Sequence, residues 1–120
     1  MAMEPSIFRS TRQIVGLTAE SGPYDLEILT HINDAFSTLY QIGATTEAVT
    51  IEDQTTNWSD LGLSDEYTNM IKTYIFLKVR SVWDPPNTSF GLNAMKEHIQ
   101  EREGRLVAFR EEEAYAAGSE

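Results

Sequence analysis

The pair Pro85-Pro86 divides the second half of this chain more firmly than any other feature. Neither residue has a backbone N–H to donate, and each biases its predecessor away from helical dihedrals, so no single helix runs through Asp84 to Asn87. On the N-terminal side, Ile71, Tyr74, Ile75, Val79 and Val82 recur at helical spacing. Met70, Phe76, Leu77 and Trp83 widen that stripe until only Thr73 and Arg80 mark a clearly polar side. A helix this apolar is covered by neighbours on most sides. The pattern predicts a central helix near 66–83, with Trp83 largely buried beside the proline turn. Beyond the turn, Thr88 or Ser89 is placed to cap a further helix running from 89 to at least 103.

That last helix carries Leu92, Met95, Ile99, Leu106 and Phe109 in a narrow apolar seam, with Arg102 in the gap where a heptad would place an apolar residue. Such a seam suits packing along another helix. Glu97, Glu101, Arg102, Glu103, Arg105 and Arg110 clothe the rest, and Glu101 with Arg105 forms a favourable i,i+4 pair. Gly104 costs about 1 kcal/mol in a helix interior relative to alanine, and a helix continuing to Tyr115 would outrun so small a core.

Upstream, Ser6 is placed to cap a short helix near 7–16 that carries Ile7, Phe8, Ile14 and Val15 and stops at Gly16. Residues 25–42 are patterned as a second helix, with Leu29, Ile32, Phe36, Leu39 and Tyr40 on one side and Gly43 at its C-terminal cap. From Ala44 the period shifts to two. Val49 and Ile51 alternate with Thr50 and Glu52, which predicts a short strand or hairpin arm near 48–52. Residues 53–63 have loop chemistry, with one helical turn expected at 59–61. The fold class is therefore mainly α, a small bundle of about four helices with a short β-hairpin or strand arm.

With 120 residues the chain has room for one modest core. Its 9 Lys and Arg against 19 Asp and Glu leave a formal charge of −10, which repels a nucleic-acid backbone and argues against sequence-specific DNA binding. Cysteine is absent, so there is no disulfide framework, thiolate metal site or thiol nucleophile. The longest apolar run, Tyr74 to Leu77, is far too short to span a bilayer, and no basic segment leads into an apolar one at the N-terminus. A soluble, unexported protein with no membrane partner is expected.

Chemistry-bearing clusters are few. Glu27, His31 and Asp34 share one face of the second helix and include the donor types that ligate divalent metals, but a solvated face of an amphipathic helix has the same pattern. No nucleophile elbow or glycine-rich phosphate loop occurs. Neither an enzyme nor a bound cofactor or metal is expected. Lys78 projects between Ile71 and Val82, near the middle of the central helix's apolar face. Its stem packs on the core with the head reaching out beside Asp60, Asp65 or Glu66, or it forms an ion pair with another subunit.

The run Ile71-Lys-Thr-Tyr-Ile-Phe-Leu-Lys-Val-Arg80, then Trp83-Asp-Pro-Pro-Asn-Thr-Ser89, then Glu101-Arg-Glu-Gly-Arg-Leu106, resembles the small head-tail connector (adaptor) proteins of long-tailed bacteriophages. His31-Ile-Asn33, Gln41-Ile-Gly43, Ile51-Glu-Asp53 and Trp58-Ser-Asp-Leu61 fit the same pattern in the same order, and the likeness covers roughly residues 7 to 106. The chain departs from it at Gly104, where a bulkier residue is expected. The resemblance implies a helical connector domain over 1–106. The C-terminal extension over 107–120 sets Phe109 and Tyr115 beside Glu111, Glu112 and Glu113, a mixture too acidic to bury alone and too aromatic for an idle tail; it lengthens the last helix or orders against the portal, the alternative being a frayed chain end. The resemblance further implies a homo-oligomeric ring of about twelve subunits. The ring would lie beneath the portal protein, meet a tail-proximal connector or tail terminator protein, and let DNA pass without specific binding. Such a protein belongs to the virion at the head-tail interface and to the host cytoplasm during assembly.

On that view, Lys78, Leu106, Phe109, Arg110 and Tyr115 are candidates for portal or intersubunit contact, and Glu52 and Asp53 are candidates for the channel wall. An acidic wall repels DNA, whereas a basic wall would retain it through counterion release. The acidity equally serves solubility. A second reading, an acidic regulatory protein that mimics nucleic acid and occupies a host DNA-binding protein, rests on charge alone.

Overall fold

A computed structural model describes residues 6–17, 22–52 and 55–118 of the protein, with side chains to Glu113. Among these described residues there are four α-helices, α1 (Ile7–Ile14), α2 (Asp25–Gln41), α3 (Asp65–Trp83) and α4 (Ser89–Gly118), with a 3₁₀ turn at Trp58–Leu61 between α2 and α3. Each begins or ends where local chemistry requires it. Ser6 accepts from the Arg9 N–H at 3.1 Å, Ser64 from the Tyr67 N–H at 3.2 Å, and Thr88 from the Gly91 N–H at 3.0 Å. After α2, Gly43 takes φ +84°, a left-handed conformation that favours glycine. Gly91 is required for space instead. A Cβ there would lie 2.9 Å from the Pro86 ring, so the proline turn folds tightly against the first turn of α4.

Packing follows the apolar stripes. Ile28, Ile32, Ala35, Phe36 and Leu39 of α2 meet Ile71, Tyr74, Ile75 and Val79 of α3, and Ile99 and Leu106 of α4 join from the other side. Tyr24 at the start of α2 packs edge-on against Trp83 at the end of α3, with ring centroids 5.1 Å apart. Tyr67 at the start of α3 stacks on Phe109 late in α4 at 5.3 Å. Both neighbours of α3 therefore run antiparallel to it, and α3 is the central element.

Several expectations need correction. No strand occurs among the described residues, and the arm expected near 48–52 has no regular secondary structure; the only pairing of this kind among them is an isolated bridge between Ser6 and Asn57. The reason is a side chain that does a strand's work. The Ile51 N–H donates to Asn33 Oδ1 at 2.7 Å, and Asn33 Nδ2 donates to the Ile51 carbonyl at 3.0 Å. Both backbone groups of Ile51 are thereby satisfied from α2, while its side chain is buried and Val49 packs partly against the core. The alternation reflects a loop lying on a core, not a sheet.

Trp83 is only half-buried, and Val82 is 56% exposed, because α3 outlasts its cover at the proline turn. Tyr40 is 49% exposed, and the buried stripe of α2 takes in Ile28 and Ala35 instead. Gly104 does not interrupt α4, which continues through it to Gly118.

Candidate functional site

The surfaces that matter are set by α3 and α4. Thirty residues of helix span about 45 Å at 1.5 Å per residue, close to the 50 Å longest dimension of the molecule. The apolar seam of α4 is used from Met95 to Phe109, and after Arg110 the side chains of Glu111, Glu112 and Glu113 are all exposed. The helix thus leaves its core carrying three adjacent carboxylates.

Two tyrosines lock α4 in place before it leaves. The Tyr67 hydroxyl donates to the Ala44 carbonyl, with the Leu106 carbonyl at 3.2 Å as a second acceptor. Burial raises its pKa, with Arg110 opposing and Glu113 reinforcing the shift. The Tyr74 hydroxyl donates to Glu103 Oε2 at 2.7 Å. Its pKa is pushed far up, first by burial and then by the hydrogen bond and charge of Glu103, with Asp34 adding a smaller push. Both phenols therefore stay protonated and act as structural donors.

Leu106 is buried in its own subunit, and Phe109 is half-buried against Tyr67, so the isolated subunit already uses both side chains. Arg110 is half-buried beside Tyr67. Tyr115 lies within α4, but its side chain is outside the described residues. Glu52 is exposed at the end of the loop clipped by Asn33, and Asp53 is outside the described residues.

Lys78 is half-buried in a groove between α3 and α4, lined also by Val82, Leu92, Met95, Lys96 and Glu103. Two of the expected carboxylates are out of its reach within the subunit. Asp65 and Glu66 lie 13 and 12 positions back along α3, about 20 Å away, and no described carboxylate forms an ion pair with it.

On the opposite flank of the same helix pair lies a second groove. Ile14, Phe76 and Leu77 form its floor, and Arg80, His98 and Arg102 its rim. It adjoins a hollow reached by Lys72, which sits 5.4 Å over the Trp58 ring. No carboxylate lines either one. Sequence reasoning missed this face because its cations come from two helices and its floor includes α1. It also missed Arg12, which is buried, paired with Asp25 and packed over the Phe8 ring at 5.9 Å.

Glu27 and His31 approach to 3.7 Å. With Asp34 they make no metal cage, and no group of three or more such ligands is assembled among the described residues. No helix among them is long and apolar enough to cross a membrane.

This is a helical module whose chemistry lies in its surfaces and in one projecting arm. The family model of phage connector proteins matches residues 7–113, and the chain belongs to that family. It is a bacteriophage protein with a connector role, in a family of structural proteins that are not enzymes. No curated protein matches it, and no solved structure does.

Proposed function

We propose that this connector assembles as a ring of about twelve copies beneath the portal and joins the DNA-filled capsid to the tail. The observation that carries the reading is the end of α4: a helix that passes beyond its own core, with exposed carboxylates, belongs in a contact outside its own subunit. The portal on one side and a tail-proximal connector or tail terminator on the other are the partners. Residues 1–106 supply the helical body, and 107–120 begin with the Phe109 anchor and continue as the contact arm. Lys78 and Arg110 are assigned to interfaces, since each is half-buried and unpaired with any described carboxylate. The protein acts in the virion, after assembly in the host cytoplasm.

Glu52 and Asp53 are assigned to the channel wall. Repeating a −10 subunit around a closed symmetric object gives a field of one sign, and DNA passes an acidic wall without adhering. The nucleic-acid mimic reading draws on net charge alone and accounts for neither the arm nor the family.

The test is imaging of particles that carry the chain truncated after Arg110. Intact subunits that fail to enter heads or to attach tails support the reading. Normal incorporation and tail joining would remove it. For the wall, Glu52→Lys with Asp53→Lys should leave the ring intact and slow DNA ejection, most at low salt; normal ejection through the variant ring would sink that assignment.

A further inference from the structure

The groove rimmed by Arg80, His98 and Arg102 is anomalous in a protein with 19 acidic residues against 9 basic ones. Lys72, Arg80 and Arg102 form no ion pair with any described carboxylate, although such pairs are made elsewhere by Arg12 and Arg105. Below them Ile14, 50% exposed, and the half-buried Phe76 and Leu77 leave an apolar floor. An apolar floor inside a cationic rim fits an acidic segment with small or aromatic residues.

The chain contains such a segment. Glu111, Glu112 and Glu113 are exposed and pair with no described cation, and the sequence continues Ala114-Tyr115-Ala116-Ala117. We propose that the groove receives the acidic end of α4, residues 111–118, from a second copy of this chain. The proposal rests on the ring reading and names the contact from which the ring is built.

The segment cannot serve its own groove. Arg102 and His98 lie on the same helix, roughly 14 to 23 Å upstream of the three glutamates, and a continuous helix does not fold back on itself. The lengths match between copies. Residues 111–118 span about 12 Å of helix, and Lys72 to Arg80 mark out about 12 Å along α3. One face meets a different face, so the contact is heterologous, and repetition closes a ring when the rotation between copies closes. Duplex DNA offers the same negative charge but must approach a body of net charge −10, which opposes it at every distance within the screening length.

The absence of cysteine gives a clean test. Thr73 is exposed in the groove and Glu112 is exposed on the arm. Thr73→Cys and Glu112→Cys in one chain, treated with a short bismaleimide in portal-containing particles, should yield a ladder of covalent multimers. Each single variant should give nothing larger than a dimer. No ladder from particles whose images show the ring would overturn the groove assignment and leave the ring reading standing; no ring at all would overturn both. Cross-linking of Glu112→Cys to the portal instead would also overturn it. In a second arm, Glu111, Glu112 and Glu113→Lys, or Arg80 and Arg102→Glu, should each weaken self-association by at least about tenfold at low salt. An equimolar mixture of the two variants should recover association. Failure to recover, or loss of duplex binding by the Arg80 and Arg102→Glu variant, would assign the groove to another partner.

Discussion

Replacing Asn33 by alanine isolates the device that stands in for a β-strand. The carboxamide accepts from the Ile51 N–H at 2.7 Å and donates to the Ile51 carbonyl at 3.0 Å, and Ile51 is 1% exposed. Each such bond contributes about 1 kcal/mol net, and each buried backbone group left without a partner costs about 1 to 3 kcal/mol. Because Asn33 is itself half-buried, water can enter part of the space and soften the loss. Asn33→Ala should therefore destabilise the fold by about 2 to 4 kcal/mol, a fall in Tm of roughly 4 °C per kcal/mol for a domain of this size. Urea titration followed by circular dichroism checks the magnitude, and the slope should stay unchanged because the same core unfolds. Asn33→Asp is the sharper control. Its carboxylate keeps the acceptor for Ile51 N–H but sets a negative oxygen against the Ile51 carbonyl, so the variant should be less stable than wild type at neutral pH. Acid should narrow the gap by restoring a donor. An Asn33→Ala midpoint within about 0.5 kcal/mol of wild type would refute the clip as the reason this loop is ordered.

Gly104→Ala should stabilise the protein by about 0.5 to 1 kcal/mol, since nothing lies within 4 Å of the added Cβ; a lower midpoint would mean that α4 is not helical there. Trp83→Ala should cost only about 1 to 2 kcal/mol, because the ring is half-buried against Tyr24; a loss near the 3 to 5 kcal/mol of full enclosure would contradict that exposure. Tyr67 and Tyr74 have pKa values raised above the ordinary 10.0. The folded state holds protons that the unfolded chain releases near 10, so stability is fully present below that pH and falls as pH rises beyond it. Part of the phenolate absorbance should appear only as helical dichroism is lost, and full ionisation of an intact fold would refute it.

Several helix ends were legible because each is a local decision. Ser6 and Thr88 accept from an N–H three residues on, Gly43 takes the left-handed turn after α2, and Pro85-Pro86 stops α3 whatever surrounds it; the Ser64 cap of α3 and the end of α4 at Gly118 were not among the expectations. Apolar periodicity similarly fixed α3 as the central element, since a stripe that wide has to be covered. Tertiary structure alone decided the rest. A period of two marks extended chain on a core equally well whether its edge is paired by a strand or by Asn33, 18 positions away. Tyr67 joins Ala44 and Leu106 across separations of 23 and 39 residues, which no local pattern encodes. The basic groove exists only because Ile14 of α1, Arg80 of α3 and Arg102 of α4 are brought to one face. Caps and stripes act over a single helical turn and are written in neighbouring residues. A groove between helices depends on their relative placement, which is set by the packing of the whole core.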